Sequence, residues 1–98
     1  MNASIGIQII PKLSEDKEVI RVVDEVIAYI QSTGLNYFVG PLETSVEGDF
    51  DKLMEIIKNC VEIAVDSGAA SVSAYVKINY RPNGEVLTIE EKVSKHHK

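Results

Sequence analysis

The side chains best placed to do chemistry stand close together in Gly40-Pro41-Leu42-Glu43-Thr44-Ser45-Val46-Glu47-Gly48-Asp49. Thr44, Ser45 and Glu47 fall near the end of a short predicted strand, Gly48 stops it, and Asp49 suits the N-cap of a following helix. Two hydroxyls and a carboxylate beside a helix start can bind a polar ligand, but the pattern alone names none. Catalysis is poorly supported elsewhere. His96 and His97 lie in a polar tail expected to fray, so a nucleophile has no base to activate it. Cys60 sits on an apolar helix stripe beside Ile57 and Ala64 and reads as a core thiol. The acids fall on helix starts and outer faces, where solvation explains them. A metal site through His96, His97 and Glu90 or Glu91 is disfavoured, because adjacent histidines leave a helix in different directions. No metal site and no catalytic residue is assigned.

Charge and length narrow the partners. A formal charge of −5 argues against binding a phosphate backbone, so no nucleic acid is expected; a neutral or cationic partner fits better. The single cysteine forms no internal disulfide, and no apolar run approaches the roughly 18 residues of a membrane span, so a cytoplasmic protein without a membrane partner is expected. The 98 residues, 45% of them hydrophobic, are expected to form one domain, 1–98, with a modest core that association would help.

The elements that must position the polar cluster follow from periodicity. Ile5, Ile7 and Ile9 alternate with Ser4, Gly6 and Gln8 in a first strand, Ala3 to Ile10, ended by Pro11. Ser14 offers an N-cap, and Val19, Val23, Val26, Ile27 and Ile30 form a helical stripe that Gly34 closes. Asn36 to Val39 and Leu42 to Glu47 read as a hairpin turning at Gly40-Pro41. A second helix from Asp49 carries Phe50, Leu53, Met54, Ile57, Cys60, Val61 and Ala64 to a stop at Gly68. Ser71 to Tyr80 alternates as the longest strand. After the Arg81-Pro82-Asn83-Gly84 turn, Thr88-Ile89-Glu90-Glu91 fits a capping box for a short last helix.

This order predicts an α+β, ferredoxin-like βαββαβ sandwich with a short C-terminal helix. Right-handed crossovers place the first and third strands at the centre of the sheet and both long helices on one face. The odd residues of the first strand and the even residues of the fourth should face the helices. Ser4, Gln8, Ser73, Tyr75 and Lys77 then lie on an open face, with Glu43, Ser45 and Glu47. The long edge strand and small open-face residues favour assembly into a homodimer or homotetramer. RNA recognition fits poorly, since aromatic platforms are missing from the central strands and acids stand in their place. The first loop, Pro11-Lys12-Leu13-Ser14, lacks the Cys-x-x-Cys of a metal carrier and the arginine of a phosphate cradle.

The opening strand running into Ile9-Ile10-Pro11, the stretch Gly40-x-x-x-Thr44-x-x-Glu47-Gly48 and the strand Val76-Lys77-Ile78-Asn79-Tyr80-Arg81 resemble the small thiamine-binding protein family. The resemblance covers nearly the whole chain, with Leu42-Glu43 standing where relatives tend to have smaller residues. It implies a non-catalytic protein that binds thiamine or its hydroxymethylpyrimidine part as a ligand, with no cofactor. Thiamine joins an aminopyrimidine, which wants a paired donor and acceptor, to a cationic thiazolium, which wants negative charge or an aromatic face. On that resemblance the ligand residues are Thr44, Ser45 and Glu47, with Tyr37 and Tyr75 as ring faces. Each also has a plainer role: Thr44 as a β-branched strand residue, Glu47 as a strand-end charge, the tyrosines as packing groups. The alternative function is a small homo-oligomeric regulatory or assembly module without a small-molecule ligand.

Overall fold

The computed structural model describes residues 1–97. The chain runs β1 (Ala3–Pro11), α1 (Asp16–Ser32), β2 (Asn36–Val39), β3 (Thr44–Gly48), α2 (Phe50–Asp66), β4 (Val72–Tyr80) and α3 (Ile89–Val93), followed by a 3-10 turn, Ser94–His96. The sheet is antiparallel in the order β2-β3-β1-β4, so β1 and β3 are central as the crossover argument requires. This is the ferredoxin-like arrangement. Gly34 and Gly68 end the two long helices at φ 76° and 117°, a backbone region that other residues avoid.

Strand pleating assigns the two faces. Ile5 pairs with Val46 and Ile78, and Ile7 with Thr44 and Val76, so these side chains point toward α1 and α2. There they meet Val22, Val26 and Ile30 of α1 and Leu53, Ile56, Cys60 and Ala64 of α2, all buried. Cys60 belongs to this core, and burial pushes its thiol up to about 11, which keeps it protonated and unreactive. The stripe expected on α1 divides. Val26 and Ile30 are buried in the core, whereas Val19, Val23 and Ile27 are half-buried, and all five line an open groove.

Three helix starts depart from or match simple capping. Ser14 does not cap α1; Glu15 occupies the cap position and makes no side-chain cap bond. Asp49 is the N-cap of α2 by position, but its side chain does not bond there; Asn2 Oδ1 accepts from the Phe50 amide instead, at 3.0 Å. At α3 the capping box forms in full, with the Glu91 amide donating to Thr88 Oγ1 at 3.0 Å and the Thr88 amide to Glu91 Oε1 at 2.9 Å. Those bonds hold the Glu91 carboxyl below its usual range. Their contribution is present above the ordinary carboxylate pKa and is lost as pH falls through the lowered one.

The tail expected to fray is exposed and forms the 3-10 turn, with the His97 ring 5.4 Å from that of Phe38; Lys98 is outside the described residues. No described helix is long and apolar enough to cross a membrane. The core makes a direct prediction. Leu53 is fully buried, so Leu53→Ala should cost about 2 to 5 kcal/mol in chemical denaturation, whereas a loss below about 1 kcal/mol would mean that the core is not packed this way.

Candidate functional site

The open face of the sheet is ordered in cross-strand rows. Asn36, Glu47, Ser4 and Asn79 form one row; Phe38, Ser45, Gly6 and Lys77 form the next; Gln8 and Tyr75 lie in a third. Over the first row sits α3. Glu47 is 5% exposed, and its two oxygens are divided between partners: Oε1 accepts from Asn36 Nδ2 and Oε2 from the Ile89 amide, each at 2.7 Å. The Ile89 amide is one of the first-turn donors that a helix cannot satisfy itself. Glu47 therefore fastens α3 to the sheet.

That attachment gives the open face a wall. A cavity of about 240 Å³ lies between α3 and the sheet, bordered by Ser4, Ser45, Asn79, Phe38, Lys92 and Val93. A second, shallower space of about 480 Å³ adjoins Gln8, Leu42 and Tyr75. Glu43 and Lys77 border both, and they form an ion pair at 2.7 Å. The pair lies over Gly6. A Cβ built there would stand 2.8 Å from Glu43 Oε2, so a side chain at this position would make the carboxylate shift.

A different cavity, about 280 Å³, opens on the other side between α1 and the β2–β3 turn. Val19, Val23 and Ile27 line it with Leu42 and Thr44, so it is largely apolar. The turn closes through the Gly40 amide donating to the Glu43 carbonyl at 2.9 Å.

The five residues singled out from sequence are thus split between the faces. Thr44 pairs with Ile7 and points toward the helices, while Glu47 pairs with Ser4 and points the other way, so one pocket does not hold both side chains. Tyr37, opposite Val46, is half-buried against the core. Ser45 borders the α3 cavity, and Tyr75, 63% exposed, borders its neighbour. Ser45 and Tyr75 share the open face with Glu47. Sequence reasoning passed over Asn36, Phe38, Asn79 and Lys92. Phe38 was reachable, since the hairpin register places it beside Ser45; Lys92 was not, because only the docking of α3 brings it there. Among the described residues, no group of three or more His, Cys, Asp and Glu side chains could hold a metal ion.

The family model of the thiamine-binding proteins matches residues 5–97. The chain belongs to this family. It is 45% identical over 93 residues to a UPF0045 protein of Clostridium perfringens, covering 95% of each chain. Among solved structures, a DUF77 domain of unknown function from Bacillus cereus matches with a TM-score of 0.85 and 38% identity over 97% of this chain and 89% of that one. A protein of Thermotoga maritima, provisionally assigned to thiamine biosynthesis or salvage, matches with a TM-score of 0.83 and 34% identity over 98% and 99%. The thiamine-binding family member described here therefore has a polar, α3-walled cavity on one face and an apolar groove on the other.

The anchoring role of Glu47 is testable apart from any ligand. Glu47→Ala leaves the Ile89 amide unpaired and should cost about 1 to 3 kcal/mol, with faster amide exchange at Ile89 than in β1. Glu47→Gln should be milder, since a turned Asn36 amide can accept from the new NH2 while the Gln carbonyl keeps Ile89. Unchanged Ile89 protection in Glu47→Ala would show that α3 is held by other contacts.

Proposed function

We propose that this protein binds thiamine, or its hydroxymethylpyrimidine part, in the open-face cavity beneath α3, and that it does so without chemistry as a cytoplasmic binding protein. The observation that carries the reading is the cavity's wall. Ser45, Asn79 and Ser4 offer donors and acceptors for an aminopyrimidine edge, Phe38 offers a ring face, and Glu43 offers a negative charge for the thiazolium. The groove at α1 is also bordered by Glu43, but its only other polar side chains among the described residues are Gln8 and Thr44 in a mostly aliphatic lining, so it offers fewer such groups to the same ligand. Family membership supplies the ligand class.

The five sequence-derived residues take different parts in this proposal. Ser45 hydrogen-bonds the ligand and Tyr75 flanks its far end. Glu47 acts through α3, because both of its oxygens are already engaged. Thr44 and Tyr37 support β3 and β2 from the helix side. Cys60 takes no part in this reading, since it is buried in the core on the helix side of the sheet.

A small molecule is usually buried over 70–90% of its surface in a space of roughly 300 to 1,000 Å³; the α3 cavity, at about 240 Å³, falls short of that range, and the adjoining space of about 480 Å³ is open to one side. A second copy would complete the enclosure. The β4 edge is unpaired within the chain, and Ile78 and Tyr80 on it are about half exposed, which favours a homodimer or homotetramer. The same exposed edge favours the second reading, an assembly module without a ligand. Calorimetric titration with thiamine separates the two: saturable heat at one site per chain is expected, and an oligomer by light scattering that gives no heat at millimolar thiamine would favour the assembly module.

A further inference from the structure

The Glu43–Lys77 ion pair lies between two spaces on the open face and borders both of them. The Lys77 side chain is 77% exposed and that of Glu43 34%, and the contact joins the start of β3 to β4 across β1. An exposed pair of this kind contributes little to stability. The carboxylate nonetheless lies close over the sheet at Gly6, where a Cβ would stand 2.8 Å from Glu43 Oε2 and push the carboxylate aside. The carboxylate reaches the middle of the face from a loop residue, and each neighbouring cavity borders it.

We infer that Glu43 is the recognition group for a cationic heteroaromatic ligand and that Lys77 is the internal cation such a ligand displaces. The inference rests on the reading of the open face as the thiamine site and deepens it. In the empty protein the Lys77 ammonium neutralises Glu43 and stands as a partition between the α3 cavity and the space beside Tyr75. A ligand carrying its own positive ring takes over the carboxylate, and the freed lysine, on a flexible four-carbon stem, swings into solvent. The two spaces then join into one trough long enough for two linked rings, one against Phe38 and Ser45 and the other near Tyr75. A neutral ring has nothing to offer in exchange for the ammonium and must fit into one side of the partition. Charge exchange thus gives discrimination in favour of the two-ring cation, which is a difference of affinities and not an extra contact.

The test uses the full chain, titrated calorimetrically with thiamine and separately with neutral hydroxymethylpyrimidine, in wild type, Glu43→Gln, Lys77→Met and the double variant. Glu43→Gln should weaken thiamine binding roughly ten- to hundred-fold through loss of the charged partner. Lys77→Met removes the competitor and should tighten thiamine binding about two- to five-fold. In the Glu43→Gln background the Lys77 change should bring no gain, which marks the two residues as one unit. Hydroxymethylpyrimidine binding should change little in all three variants, and unchanged melting temperatures confirm that the fold is intact. Weaker thiamine binding by Lys77→Met, or unaltered binding by Glu43→Gln in a chain whose wild type binds, overturns the exchange and leaves the site reading standing. Absence of thiamine binding by wild type overturns both.

Discussion

A single buried carboxylate holds the open face of this protein together. Glu47 joins β3 to β2 through Asn36 and to α3 through the Ile89 amide, residues that lie 11 and 42 positions away in the chain. Burying a carboxylate is costly unless its oxygens are matched, and here each has a short, charge-assisted bond. The consequence extends beyond stability. A four-stranded sheet with helices on one side would otherwise present a nearly flat polar face, and α3 turns part of that face into a cavity.

The second constraint is the pleat. Side chains two residues apart share a face and neighbours do not, so Thr44 and Glu47 belong to different sides of the sheet however close they stand in sequence. Each side has its own cavity with its own chemistry. The helix side is largely apolar, lined by Val19, Val23 and Ile27, with Glu43 at its border; the open side carries serines, Asn79, Lys92 and the Glu43–Lys77 pair. The proposed ligand, with a hydrogen-bonding ring and a cationic ring, is assigned to the second set of groups on that difference in chemistry.

Much of the fold was legible because it follows from local rules. Alternation in β1 and β4 gave their faces, Gly34 and Gly68 gave the helix ends, and Thr88 with Glu91 gave the last helix. The site was less legible because its decisive contacts are distant ones. Asn2 replaces the side chain of Asp49 as the cap of α2 from 48 residues away, and nothing near Asp49 signals the substitution. The tail shows the same limit: Lys95, His96 and His97 are exposed as a solvated end should be, but the contact of the His97 ring with Phe38 has no signal near it in sequence. Glu43 and Lys77 could be assigned to the open face by parity, but their contact over Gly6 depends on a side chain leaning across a strand.

Whether the ligand lies on the open face can be read directly from intermolecular nuclear Overhauser effects between thiamine and the protein's methyl and aromatic protons. The two cavities have separate reporters, Val93 and Phe38 for the open face and Val23 and Ile27 for the groove at α1. Contacts from thiamine to Val93 and Phe38, with none to Val23 and Ile27, are the expected result. Contacts to Val23 and Ile27 alone would place the ligand between the sheet and α1 and contradict the account.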